Sequence, residues 1–166
     1  MQSIRSFRER NYVKLKVENV KYFKVVLVFI SIIQGSLALA ENYEVKMLNT
    51  GADGVMVFEP AMLKVELGDS VTFKSTNPGH NSASIAGMIP EGAEGWNGGM
   101  SADVTVNFET EGVYVYQCTP HMMMAMVGVI QVGSGDNLVS IKAKAAEKKS
   151  AFVMSPDRLD SYLNQL

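Results

Sequence analysis

The chain has 166 residues, of which 47% are hydrophobic and 19% are charged, and this balance is typical of a globular protein and excludes a disordered polypeptide. Its formal net charge of −2 provides no basic surface for nucleic acid over the whole chain. One cysteine and two histidines exclude an internal disulfide bond and a structural zinc site of four cysteines or of two cysteines and two histidines.

The first 40 residues have the features of a secretory signal peptide. They hold seven basic and two acidic side chains, which leaves a net charge near −7 on residues 41–166. An apolar run at residues 25–33 follows Lys24, and small residues precede a predicted cleavage site after Ala40. The alternative is an uncleaved membrane anchor, although the run is shorter than the ~20 residues that a spanning helix needs. Export without a disulfide indicates a bacterial periplasm, where the free cysteine must be buried or ligated.

Seven short β-type segments separated by turn residues follow between Glu41 and Val132. Several of them alternate apolar and polar side chains with the period of two that a half-buried strand requires. Gly68-Asp69 and Glu111-Gly112 provide turns, and the short spacing of the segments predicts an antiparallel sandwich or barrel. The predicted strands are residues 43–48, 55–58, 62–67, 70–74, 103–108, 113–116 and 127–132.

The C-terminal region is predicted to be helical. After Gly135 the composition changes to Lys, Ala, Glu and Leu, which predicts helices at residues 137–148 and 156–166. Ser155 is the predicted N-cap of the second helix, with Pro156 at its first helical position. This helix has one apolar stripe, formed by Leu159, Tyr162, Leu163 and Leu166. We therefore predict that both helices pack on a sheet within one domain, residues 41–166.

The imidazole and thiol side chains of the sequence belong to His80, Cys118 and His121. Cys118 and His121 are three residues apart in a predicted loop, and four methionines follow before the last strand. Two imidazoles, one thiolate and a distant thioether are the ligands of a blue-copper electron-transfer site. The spacing alone leaves two candidates for the thioether, Met124 and Met126.

Together these features resemble the cupredoxin family, and most of all its pseudoazurin branch. The resemblance rests on Gly79-His80-Asn81, the loop from Cys118 to Met126, the strand that follows it and the two C-terminal helices. It implies a mainly β, eight-stranded Greek-key sandwich with two C-terminal helices. It also implies one type 1 copper ion, with Met126 as the axial ligand beside His80, Cys118 and His121.

The resemblance further implies a monomeric periplasmic shuttle of single electrons, and no enzyme. Its expected partners are a donor such as a cytochrome and a respiratory acceptor such as a nitrite or nitrous-oxide reductase in denitrification. After signal cleavage we expect no membrane association. Two other functions remain open from the residues alone. One is a nucleophilic enzyme that uses Cys118 with a histidine base, and the other is periplasmic Cu(I) storage or delivery through the methionines.

Two neighbours of the ligands have predicted roles. Asn81 is expected to connect the His80 loop with the Cys118 loop and to direct its amide at the sulfur, and Pro120 is expected to stiffen the second loop. Around His121 we predict a shallow apolar face without the lysines that pseudoazurins usually carry there, and therefore docking dominated by apolar contact. The predicted face consists of Met56, Pro78, Pro120, Met122, Met123 and Met124.

Overall fold

A computed structural model describes residues 39–166 of the chain, so the predicted signal peptide lies outside the described residues except for its last two positions. None of the helices in the described part is long and apolar enough to cross a membrane. In residues 39–166, eight strands form two sheets. They are β1 (Asn42–Gly51), β2 (Gly54–Glu59), β3 (Met62–Val65), β4 (Ser70–Lys74), β5 (Ala83–Ser84), β6 (Val104–Asn107), β7 (Gly112–Gln117) and β8 (Val127–Val132).

The strand order is β2-β1-β4-β6 in the first sheet and β3-β8-β7-β5 in the second. All seven predicted strands are present, and the eight-stranded sandwich is confirmed. β5 has only two residues, too few to show a period in the sequence. The prediction of a wholly antiparallel sandwich was wrong, because β1 pairs with β4, and β3 with β8, in parallel. The cause is that the chain crosses to the second sheet at β3 and returns beside β1.

The two sheets are buried differently. β1 alternates, since Val45 and Met47 lie in the core between the sheets while their neighbours are exposed or half-buried. β7 is buried on both faces: Tyr114 and Tyr116 point into the core between the sheets, whereas Val113 packs in a second cluster with residues of the C-terminal helices. The helices therefore cover the outer face of the second sheet, as predicted.

The C-terminal helices are α1 (Leu138–Lys148) and α2 (Arg158–Leu163). The prediction of Ser155 as N-cap was wrong, because α2 begins at Arg158 with Asp157 at the N-cap position. Ser155 has a left-handed backbone (φ 49°), and its carbonyl accepts the Arg158 amide in a turn before the helix. The apolar stripe is confirmed for the three positions that α2 includes, which are buried: Leu159, Tyr162 and Leu163.

Candidate metal centre

Two connecting segments bring the candidate ligands to one end of the sandwich. His80 lies in the connection from β4 to β5, and Cys118 immediately follows β7. His121 lies in the loop from β7 to β8, ahead of a 3₁₀ turn (Met122–Met124), and Met126 immediately precedes β8.

The two histidines and the cysteine converge. His80 Nδ1 lies 3.1 Å from His121 Nδ1, and Cys118 Sγ lies 3.7 Å from the first of these nitrogens and 3.4 Å from the second. Nitrogen and sulfur ligands about 2.0–2.3 Å from one ion, as they are around zinc, lie roughly 3.5–3.8 Å from one another in a trigonal arrangement. The three donor atoms are within about half an ångström of that arrangement, so a single ion fits between them.

His80 is held in a defined tautomer. Its Nε2 lies 2.8 Å from Asn49 Oδ1, an oxygen that can only accept a hydrogen bond, so Nε2 carries the proton and donates it. The lone pair therefore resides on Nδ1, the atom that faces Cys118. The backbone amide of Asn49 donates to Asn77 Oδ1 at 2.9 Å. Sequence analysis missed Asn49, because a lone asparagine 31 residues before the histidine has no motif that marks it.

Burial shapes the chemistry of these groups. His80 and Cys118 have no exposed surface. Burial lowers the pKa of His80, and the neighbouring His121 lowers it further. Burial also raises the pKa of the Cys118 thiol, while backbone hydrogen bonds from Asn81 and His121 act in the opposite direction. A thiolate at this position is therefore favoured when a cation shares the site, and a neutral imidazole is ready to bind it.

Asn81 connects the two ligand-bearing segments, as predicted. Its Oδ1 accepts the Thr119 amide at 2.8 Å, and its Nδ2 donates to Thr119 Oγ1 at 3.2 Å and to the Gly98 carbonyl at 3.3 Å. Asn81 directly follows His80, and Thr119 directly follows Cys118. These hydrogen bonds therefore fix the distance between the two candidate ligands. Its burial, with 4% exposure, protects these bonds from competition by water.

The loop between β7 and β8 distinguishes the two candidate methionines. The Cys118 amide donates to the Met126 carbonyl at 2.9 Å, which closes the loop at its base. Met126 has no exposed surface and belongs to the same buried cluster as Cys118. Met124 lies in the 3₁₀ turn and is half-buried. Of the two candidates, the fold therefore buries Met126 in the cluster that contains Cys118 and leaves Met124 partly exposed.

The surface near His121 is apolar and accessible. None of the six residues predicted for this face is buried. The face also includes two exposed residues that were not predicted from the sequence, Val153 and Met154. Their backbone amides donate to the carbonyl of Met123 at 2.8 and 3.1 Å. Lys148 also reaches this face, with its Nζ 3.6 Å from Met122 Sδ. These contacts depend on how the helical region folds back on the loop, which no local pattern encodes.

A copper-binding family matches this fold and site. Residues 45–133 match the family described as copper binding proteins, plastocyanin/azurin family. The matched segment contains both histidines and the cysteine. The chain therefore belongs to the plastocyanin/azurin family of copper-binding proteins, the cupredoxins, and copper is its cofactor.

Similarity to pseudoazurins is confirmed within this family. Pseudoazurin from Methylorubrum extorquens is 40% identical over 130 residues, which cover 78% of this chain and 84% of that protein. Pseudoazurin from Paracoccus pantotrophus is 38% identical over 128 residues, covering 76% of this chain and 85% of that one. The crystal structure of pseudoazurin from Methylobacterium extorquens AM1 matches with a TM-score of 0.66 and 39% identity, covering 75% of this chain and 98% of that structure. These similarities support a blue-copper electron-transfer protein that exchanges electrons with redox partner proteins.

Proposed function

We propose that the protein is a periplasmic shuttle of single electrons whose copper ion is held by His80, Cys118, His121 and Met126. The observation that carries the proposal is the convergence of two imidazole Nδ1 atoms and one thiol around a space for a single ion. Thiolate and thioether ligands suit Cu(I), and imidazole suits both oxidation states. The ion supplies the one-electron couple, and the chain holds the ligands in a geometry that changes little with oxidation state.

His121 is the proposed route for the electron. His80 is fully buried, and its second nitrogen is occupied by Asn49. His121 is only half-buried and lies among the methionines of the loop. Its imidazole therefore provides the shortest path between the centre and the surface, so partners should dock on the apolar face around it.

The apolar face favours partners that bind mainly through apolar contact. Met123 is 57% exposed and Val153 is 71% exposed, and methionine side chains adapt to different surfaces. Lys148 adds one positive charge at the edge of this face. We propose a cytochrome as donor and a nitrite or nitrous-oxide reductase as acceptor, each meeting a monomer of this chain. Similarity to pseudoazurins supports this choice.

The proposed function also requires export of the chain to the periplasm. The basic and apolar segments before Ala40 support cleavage there, which would release residues 41–166 into the periplasm. Mass spectrometry of the protein isolated from the periplasm should find Glu41 at its N-terminus. An N-terminus that retains the apolar run of residues 25–33 would instead indicate a membrane anchor.

Copper exchange tests the shuttle against copper storage or delivery. We would load residues 41–166 with Cu(I), then add a competing Cu(I) chelator in a series of concentrations. An electron shuttle should retain one copper per chain, and the ion should be oxidised and reduced repeatedly without being lost. Uptake of several Cu(I) ions, or rapid transfer of the ion to the chelator, would favour storage or delivery. The variant Met123→Leu, altered at an exposed methionine, should match the wild type if the shuttle is correct.

A further inference from the structure

Arg158 is a buried cation without a carboxylate partner among the described residues. It is the first residue of α2 and is only 9% exposed. Within residues 39–166, none of the salt bridges includes it. A buried charge is costly unless hydrogen bonds satisfy it, so its contacts must have a structural purpose.

In the described part of the chain, every hydrogen-bond acceptor of the guanidinium is a backbone carbonyl oxygen. Its contacts are with two separate segments, one that runs from the β1–β2 turn into the first residues of β2 and one that is the loop before β8. Each segment offers carbonyl groups to the planar fork of the guanidinium, whose geometry is fixed. The accepting carbonyls are those of Met56, Met124 and Ala125 on Nη1, at 2.9, 3.3 and 3.0 Å, and those of Asp53 and Val55 on Nη2, at 3.1 and 3.2 Å.

Two of these carbonyls belong to residues with an unfavourable backbone conformation. Met56 has φ 49° and Ala125 has φ 52°, in the left-handed region that residues other than glycine rarely adopt. Such a conformation costs of order 1–3 kcal/mol and persists only when its surroundings enforce it. Both carbonyls accept from the same atom, Arg158 Nη1. The fork therefore stabilises both left-handed residues at once.

The second of these residues directly precedes Met126. The left-handed turn at Ala125 ends the 3₁₀ helix, and the Val127 amide donates to the Ala125 carbonyl at 3.0 Å. The direction in which Met126 enters the site therefore depends on the Ala125 conformation. We propose that Arg158 is a positioning residue for Met126, through which α2 sets the geometry of the axial ligand. This inference rests on the proposed function, because it assigns Met126 to the copper ion.

A simpler role for Arg158 would be to fasten α2 to the sandwich. Tyr162, one turn further along α2, also fastens the helix, since its hydroxyl donates to Asp53 Oδ2 at 2.9 Å. Tyr162 makes no hydrogen bond to the loop before β8 among the described residues. The variant Tyr162→Phe therefore loosens the same helix without touching the loop, and it is the matched control.

The experiment compares R158K, R158Q and Y162F with the wild type, first without metal. R158K retains the positive charge but lacks the fork that bridges two segments. Amide hydrogen exchange at Met126 and Val127 should be roughly tenfold faster in R158K, as expected when a buried hydrogen bond is lost. Exchange at Val129, whose amide donates to the Ala61 carbonyl in another part of the sheet, should not change in R158K.

The copper-loaded proteins supply the second measurement. R158K and R158Q should both alter the intensity ratio of the visible charge-transfer bands and shift the reduction potential, since axial geometry tunes both. Y162F should retain the wild-type spectrum and potential even where its melting temperature falls. Should R158Q fail to fold, R158K alone decides the question.

Two results would overturn the assignment of Arg158. One is an R158K protein whose exchange at Met126 and Val127, spectrum and potential all match the wild type. The other is a Y162F protein that changes as much as R158K, which would mean that Arg158 only fastens the helix. A wild-type protein without a visible copper band would refute the proposed function instead, and this failure is distinct because exchange in the metal-free protein is measured independently.

Discussion

The two segments that carry the candidate ligands are held by different interactions. In the first segment His80 and Asn81 are buried and fixed by side-chain hydrogen bonds, in which Asn49 orients the imidazole and Asn81 connects the segment to the other one. The loop from Cys118 to Met126 is held by its own backbone turns and by Arg158, and Met123 within it is 57% exposed. Under the proposed function this difference divides the roles: the first segment would hold one ligand in a fixed orientation, and the second would supply the other ligands and meet the partner.

Replacing the thiol should have the largest effect. Cys118→Ser removes the thiolate, which supplies the visible charge-transfer band, so the blue colour should be lost completely. Absorption spectroscopy of the copper-loaded variant checks this result. The exposed Met123→Leu variant in the same loop should retain the colour. A serine variant with strong visible absorption would show that Cys118 is not a ligand.

Removing the hydrogen bonds of Asn81 between the two segments should have the next largest effect, which is on copper affinity and stability. Asn81→Ala leaves the Thr119 amide without its partner, so copper affinity should fall by about 10- to 100-fold, as is usual when a residue that orients a ligand is lost. The metal-free protein should also lose about 1–3 kcal/mol of stability. Competition titration and denaturant unfolding measure these two quantities.

The control for this variant is Asn77→Ala, which removes a hydrogen bond to Asn49 but none to the Cys118 segment. Its copper affinity should stay within a few-fold of the wild type. Equal losses in the two variants would mean that the connection between segments has no special importance.

Replacing the axial ligand should change the reduction potential of the copper ion more than it changes copper binding. Met126→Leu is expected to keep copper and to shift its reduction potential, because the thioether is a weak, long ligand. Met124→Leu, at a half-buried position in the 3₁₀ turn, should change the potential much less. Cyclic voltammetry of both variants compares them directly. A larger shift in Met124→Leu would reverse the axial assignment.

Most of the candidate ligands and strands can be predicted from the sequence. The residues that cannot be predicted were missed for a physical reason. His80, Cys118 and His121 are recognisable because their chemistry is rare in the chain, and the strands because their side chains alternate. Asn49 and Arg158 act through contacts 31 and 33 residues distant along the chain, with common side-chain types and no local pattern. The start of α2 was mispredicted because Ser155 adopts a left-handed turn before the helix and Asp157 takes the N-cap position, a choice that capping propensity does not encode.

The smallest expected effect concerns partner docking by the second segment. The apolar face carries one lysine at its edge, so association rates with a candidate reductase should fall less than about tenfold between low and physiological ionic strength. Stopped-flow kinetics over a salt series checks this. Lys148→Gln should flatten the residual salt dependence, and Lys64→Gln, on β3, serves as the control. A steep fall with salt in the wild type would instead indicate a charge-steered encounter.

The central claim is that both segments together hold one redox-active copper ion. Its most direct test is an absorption titration of residues 41–166 with Cu(II), followed by cycles of reduction and reoxidation. We predict an intense visible band that saturates at one copper per chain, disappears on reduction and returns on oxidation. Colourless Cu(II) binding, or a band that does not return, would contradict a blue-copper electron shuttle.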